Sequence, residues 1–349
     1  MEAYFEGSEI EPVESLYFGG GTPTATPDLI EMTIDLCRPY LAEGASVGVE
    51  VHPAHASRDL LNDLKSWGVT RVSLGVESFR SDLLKLLGRN YTPSQAEDGI
   101  RLAKEIGFDC VDVNLICAIP GQTALDTAAD AQRCIDFGVD QISAYTLFTF
   151  VHTPVGKKTA RKRFPVYGDL SRIRALRSIS RVCRDGGLER TSPWNFTRRS
   201  MSPYSTVTRE SYIGFGAGAG SKVDGVFWFN TFSLDAYLEQ KQNRPAIMMK
   251  TTTRIRRFHW LYWQLYGTRI DPERYAALFQ RSLQKDFWLA FLVLQFFRMM
   301  KRDGPTGWRV TEFGAVWMHR IQQLFSITYI DEVWAQCRAE AWPEEVVLS

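Results

Sequence analysis

Between residues 15 and 150, short apolar runs alternate with amphipathic stretches, and this alternation limits the fold more than any other feature of the chain. SLYFGG, SVGVEVHP, RVSLGVESF, CVDVNLICAIP and DQISAYTLFTF are rich in β-branched and aromatic residues and read as strands. Pro27 to Leu41 carries Leu29, Ile30, Ile34, Leu36 and Cys37 at helical spacing. Ser57 to Trp67 and the stretch reaching Leu87 follow the same period. Thr92, with Pro93 at the first helical position, opens a helix to Ile106. Ala124 to Phe137 supplies another. Five strands in series with helical crossovers predict parallel neighbours joined right-handedly. The strands read as apolar on both phases, as a sheet covered by helices requires. An open doubly wound sheet and a barrel-like α/β fold both satisfy this pattern, and periodicity does not choose between them.

Beyond residue 155 the alternation stops. GKKTARKRF is a basic loop, Ser171 to Asp185 an Arg-rich helix, and the stretch from Thr191 to Ser221 is turn-rich. From Ser233 the chain reads as helical and aromatic. The expected divisions are therefore 1–156, 157–232 and 233–349. With 349 residues and 45% hydrophobic composition, the chain has ample material for a core. Lys and Arg total 41 against 40 Asp and Glu, so no global basic field points to nucleic acid. The longest apolar run, Phe287 to Phe297, is too short to span a bilayer and predicts a buried helix. The first residues are acidic and lack the apolar core of a signal peptide. The 6 cysteines are scattered, with no CxxC or CxxxCxxC spacing, which argues against a disulfide framework and a zinc site. The expected setting is the reducing cytoplasm.

Three glycines follow the first strand, where they let backbone N–H groups approach a ligand. Glu50, Glu77 and Asn114 each interrupt an apolar pattern near the C-terminal end of a strand. Parallel α/β sheets build their sites at that edge. Three polar groups converging beside a glycine loop predict a ligand site.

YFGGGTPT, EVHP, RVSLGVESF with LLKLLGR, VDVNLICAIPGQT and DQISAYTLF occur in that order over residues 15 to 156. Together they resemble the oxygen-independent coproporphyrinogen III oxidase-like branch of the radical S-adenosylmethionine (SAM) enzymes. YSTVTRESYIGFGAGAGS and VTEFGAVWMHRIQQLF resemble its haem-utilisation members, among them the anaerobilin synthases, which open the haem ring without oxygen. The resemblance implies an incomplete (β/α)6 TIM-like barrel lacking its first strand, followed by a mostly helical C-terminal region. It implies that Gly20, Gly21 and Thr22 contact the amino-acid end of SAM, with Glu50, Glu77, Arg89 and Asn114 as further SAM contacts. Glu77 stands where the family has glutamine and Asn114 where it has aspartate. The two exchanges keep hydrogen-bonding side chains and conserve local charge.

The family's CxxxCxxC motif, whose three thiolates hold a [4Fe–4S] cluster, does not occur in these 349 residues, and 18 residues precede the glycines. The resemblance therefore raises the expectation of an N-terminally truncated form, and of a chain that as written holds no cluster. For the remainder it implies a haem or other porphyrin partner and an electron donor such as flavodoxin or ferredoxin. His152 follows the last strand and is the best-placed candidate haem ligand, with His52, His259 and His319 behind it. Lys157, Lys158, Arg161, Lys162, Arg163, Arg198 and Arg199 are candidates for haem propionates, and Gly216 and Gly218 for close backbone approach. The implied activity is radical methylation and opening of haem. The alternatives are coproporphyrinogen decarboxylation, radical methylation of another aromatic substrate, and haem carriage without turnover.

Overall fold

The computed structural model describes residues 11–149, 157, 168–201, 211–240 and 245–343. Its chain divides into two units, Met1–Leu147 with Phe164–Tyr204, and Phe148–Arg163 with Ser205–Ser349.

The first unit is built on parallel strands β1 (Val13–Phe18), β2 (Leu41–Val51), β3 (Arg71–Glu77), β4 (Cys110–Cys117) and β5 (Gln141–Thr146). These pair in sequence order, and the short antiparallel strands β6 (Leu188–Arg190) and β7 (Asn195–Arg198) extend the sheet in the order β1-β2-β3-β4-β5-β7-β6. The connections are α1 (Pro27–Cys37), α2 (Arg58–Ser66), α3 (Ser81–Leu87), α4 (Pro93–Ile106), α5 (Ala124–Asp136) and α6 (Asp169–Asp185). Local chemistry sets their ends. Thr92 and Gln95 form a reciprocal capping box at the start of α4, with Pro93 in the first turn, and Gly107 stops the helix in the left-handed conformation. Thr123 and Asp126 do the same at the start of α5.

Two sequence expectations need correction here. The first helix does not reach Leu41. It stops at Cys37, because Pro39 lacks the N–H that would continue the ladder; a 3-10 turn covers Arg38–Tyr40, and Leu41 already pairs with Val13. Nor are the strands apolar on both phases. One face carries Val49, Val51, Val72, Leu74, Val76, Val111, Val113, Leu115, Ile142 and Ala144, all buried. Helix α4 lies so close to it that a Cβ on Gly99 would stand 3.1 Å from Leu74 and 2.9 Å from Ala56. Each Val, Leu or Ile among them contributes about 1.5–3 kcal/mol of burial. The other face is polar. The parallel register sets Glu50, Ser73, Asp112, Gln141 and Thr197 at one level, and Gly75, Asn114, Ser143 and Asn195 at the next. Ser73, Asp112, Asn114, Gln141, Ser143 and Thr197 tolerate this face because they bond one another.

In the second unit helices predominate: α7 (Leu234–Glu239), α8 (Thr253–Tyr266), α9 (Pro272–Phe279), α10 (Leu283–Asp286), α11 (Trp288–Phe296) and α12 (Glu312–Ala339). Two small antiparallel sheets lie among them. One orders β8 (Gly220–Val223), β9 (Val226–Phe229) and β10 (Ile247–Lys250) as β10-β9-β8. The other orders β11 (Arg269–Ile270), β12 (Met300–Asp303) and β13 (Gly307–Val310) as β11-β13-β12. Trp260, Tyr275, Phe287, Phe291, Trp308 and Met318 form the main core of this unit. The apolar run Phe287 to Phe297 is not the buried helix expected of it. Phe287 and Phe291 enter the core, whereas Trp288, Leu289, Leu292, Val293, Phe296 and Phe297 are exposed. No helix among the described residues is long and apolar enough to cross a membrane.

Candidate functional site

The C-terminal ends of β1, β2 and β3 bring Glu50, Glu77 and the glycine loop together. The three glycines do three different things. A Cβ on Gly19 would lie 2.7 Å from the Tyr17 ring and 3.0 Å from the Glu50 carboxylate, so this position must be bare for the chain to turn. Gly20 has a φ of +114°, which L side chains rarely adopt. Around Gly20 and Gly21 a Cβ would meet only open space. Thr22 is extended and precedes the 3-10 turn Pro23–Ala25, and it makes no side-chain cap bond to that turn.

Glu50 is held from the loop side. The Tyr17 hydroxyl donates to its Oε1 at 2.7 Å, and the Gly20 N–H donates to the same carboxylate. Burial pushes its pKa up, and these two donors pull against that. Glu77 sits at a bulge in the β3–β4 pairing with a φ of 60°, an uncommon backbone for a non-glycine residue, at the strand end where the site lies. Its carboxylate is buried and meets Arg89 Nη2 at 2.5 Å. Burial raises the Glu77 pKa; Arg89 opposes that shift, and the charge of Glu50 adds to it. The two carboxylates thus share one field.

Tyr91 fixes the bulge. Its hydroxyl lies 2.7 Å from the Gly75 carbonyl and 2.9 Å from that of Val76. Its ring receives His52 edge-on at 5.1 Å. His52 Nδ1 accepts the Ala54 N–H, and burial, His55 and Arg89 all lower its pKa. Thr24 Oγ1 stands 3.0 Å from His55 Nδ1 and accepts the His52 N–H, tying the glycine loop to the end of β2.

Asn114 lies deeper. Its Nδ2 donates to Ser73 Oγ at 3.0 Å, and Ser73 donates on to Asp112 Oδ2 at 2.7 Å. Ser143 also donates to Asp112, and burial still raises the Asp112 pKa. Thr197 donates to Gln141, which lies in the same row. A carboxylate therefore stands one pleat before Asn114 on the same face. Reading single strands missed Tyr17, Tyr91, Ser73 and Asp112. The signal available was the polar phase of RVSLGVE, CVDVN and QIS, which becomes a row only once the register is known.

Glu50 and the Glu77–Arg89 pair set two carboxylates and one guanidinium beside a glycine loop that is open around Gly20 and Gly21. That set complements the ammonium, sulfonium and carboxylate of SAM, which carries a net positive charge, and these residues fit it. They do not fit a [4Fe–4S] cluster. All six cysteines are buried. Burial pushes the Cys110 and Cys117 thiols up to about 12, away from the thiolate a metal needs. Among the described residues no three His, Cys, Asp or Glu side chains group in a way that could hold a metal ion.

Of the remaining candidates, His152, Arg161, Arg163, Lys158 and Lys162 lie outside the described residues, and Lys157 is exposed. Arg198 and Arg199 are engaged within the first unit, with Val139 and Asp140, and with Glu189. In the second unit the Gly216 N–H donates to Tyr237 Oη, its carbonyl accepts from Asn230, and a Cβ on Gly218 would press on Phe232. His259 has both nitrogens occupied: Trp263 donates to Nε2 at 2.6 Å and Lys222 Nζ stands 3.1 Å from Nδ1. Burial and Lys222 lower its pKa to about 4. His319 is buried.

Comparison with known proteins bears on the family and the fold. The model of the Radical SAM superfamily matches residues 4–134. The heme chaperone HemW of Escherichia coli K12 is 30% identical over 347 residues, covering 93% of this chain and 86% of that protein. HemW of Lactococcus lactis is 27% identical over 252 residues, with 70% and 66% covered, and the anaerobilin synthase of Escherichia coli O157:H7 is 25% identical over 332 residues, with 93% and 74% covered. The chain thus spans two thirds or less of the length of some relatives and most of others. The structure of coproporphyrinogen III oxidase (HemN) from Escherichia coli superposes with a TM-score of 0.74 at 20% identity, over 91% of this chain and 78% of that one, which shows the fold. With its parallel sheet, its glycine loop and carboxylates at the sheet edge, and a relative matched over nearly its whole length, the chain belongs to the radical SAM superfamily, in the branch of the HemW and HemN proteins.

Proposed function

We propose that this chain binds SAM at the edge formed by Gly20, Gly21, Thr22, Glu50, Glu77, Arg89 and Asn114, and that its 349 residues carry haem without opening it. One observation supports the reading most: a donor set suited to SAM stands at the sheet edge of a chain that is 30% identical, over 93% of its length, to a heme chaperone. Glu50, held by Tyr17 and Gly20, faces a cation. Arg89, paired with Glu77, answers a carboxylate and opposes the burial that raises the Glu77 pKa. Bound SAM supplies an activated sulfonium. The buried row behind it, Asn114–Ser73–Asp112, orients Asn114 and keeps water from that face.

A second reading has its own support. Similarity to an anaerobilin synthase over 93% of this chain favours methylation and ring opening of haem wherever the cluster motif accompanies these residues. Product analysis separates the two. The purified chain is incubated anaerobically with haem, SAM and a low-potential reductant. Carriage predicts haem recovered unchanged and passed to apomyoglobin. Appearance of a linear tetrapyrrole would overturn it in favour of ring opening.

A further inference from the structure

Helix α11 leaves half of its circumference uncovered. At 100° per residue, Trp288, Leu292, Phe296, Leu289, Val293 and Phe297 follow one another around a half-cylinder, and every one is exposed, from Val293 at 43% to Phe296 at 78%. The opposite side holds the helix, with Phe291 at 4% in the core of its unit. Aromatic and aliphatic side chains this exposed present on the order of 600 Å² of contiguous apolar surface, at the upper end of what a monomer shows without a partner.

Charge around the ridge says what partner suits it. Residues 281–309 hold six basic side chains, Arg281, Lys285, Arg298, Lys301, Arg302 and Arg309, against Asp286 and Asp303, although the whole chain is only +1. Asp286 is already engaged by Arg257, Arg281 and Tyr275. Arg298 follows the helix directly, and Lys301 and Arg302 stand exposed on β12. A second copy of the chain would bring the same positive rim and be repelled. A peptide helix would seek a groove, and this surface is convex. An apolar ridge with an aromatic at its start and cations at its end matches the headgroup boundary of an anionic bilayer, where such helices lie in the plane of the interface.

We propose that the exposed half of α11, with its basic rim, docks this protein on an anionic lipid surface. The inference is independent of the SAM and haem sites. The full chain is sedimented with phosphatidylcholine vesicles and with vesicles in which a quarter of the lipid is phosphatidylglycerol. Binding at least about tenfold stronger to the anionic vesicles is expected, weakening with salt. Lys301→Gln lowers it about fivefold, and the double variant Leu292→Asp/Phe296→Asp abolishes it while its melting curve matches wild type. In case that variant fails to fold, brominated lipid should quench the wild-type fluorescence, and Trp288→Phe should remove most of that quenching. Equal binding to both vesicles, no binding, an undiminished double variant, or a lipid-free dimer that the double variant dissolves would each overturn the proposal.

Discussion

Replacing Arg89 by Met leaves Glu77 buried against the bulge with no counter-charge. Breaking a fully buried pair by removing one partner costs about 3–5 kcal/mol. Arg89 keeps 38% of its side chain exposed, so water screens part of the interaction. A loss of about 1–3 kcal/mol at pH 7.5 is therefore expected. The pH dependence identifies the cause. Burial raises the Glu77 pKa in the folded state above its value in the unfolded chain. The folded state thus holds the proton more tightly, and the stabilisation from this group is complete below the unfolded pKa and lost as pH rises through the folded one. Without Arg89 that folded pKa climbs further. The Arg89→Met penalty should accordingly be small at pH 5 and grow toward pH 8. Glu77→Gln on the Arg89→Met background should recover most of the loss, since no charge is then buried. Urea denaturation of wild type, Arg89→Met and the double variant across this pH range reads the outcome. A penalty independent of pH, or a double variant no more stable than Arg89→Met, would refute the reasoning.

The glycine loop makes a graded prediction for SAM affinity: Gly19→Ala, which drives a Cβ into Tyr17 and Glu50, should weaken binding more than tenfold, whereas calorimetry should find Gly21→Ala folded and stable before ligand is added. Gly20→Ala, forced to a φ of +114°, should lower stability by about 1–2 kcal/mol in the same denaturation assay. Titration with a disulfide reagent should find Cys110, Cys117 and Cys134 unreactive in the folded protein and all 6 thiols reactive in denaturant. Asp112→Asn should flatten the fall of stability with rising pH, because the raised pKa of this buried carboxylate contributes to that slope.

Much of this architecture was legible because local chemistry and global fold agree. Pro93 after Thr92, Gly107 at a helix end and the apolar runs between them place α4 and its neighbouring strands from sequence. The Gly-Gly-Gly turn, Glu50 and Glu77 were recognisable because polar residues interrupt strand ends. What one strand cannot disclose is its register. Ser73, Asp112 and Gln141 look like unrelated interruptions until the parallel pairing sets them at one level. Tyr17 could not be tied to Glu50, which lies 33 residues away, without that pairing. The hairpin at Asp224–Gly225 did carry a short-range signal, with both residues at positive φ as a two-residue turn requires, and it lay between the turn-rich stretch ending at Ser221 and the helical region opening at Ser233. The exposure of α11 escaped because hydrophobicity reports affinity for a core and says nothing of how much core is on offer.

The most direct test is a calorimetric titration of SAM into the purified chain, with Glu50→Gln and Arg89→Met titrated in parallel. Saturable binding at one site, weakened at least about tenfold in both variants as the loss of a charged hydrogen-bond partner requires, is the predicted result. No binding, or binding that both substitutions leave unchanged, would contradict the assignment of this sheet edge to SAM.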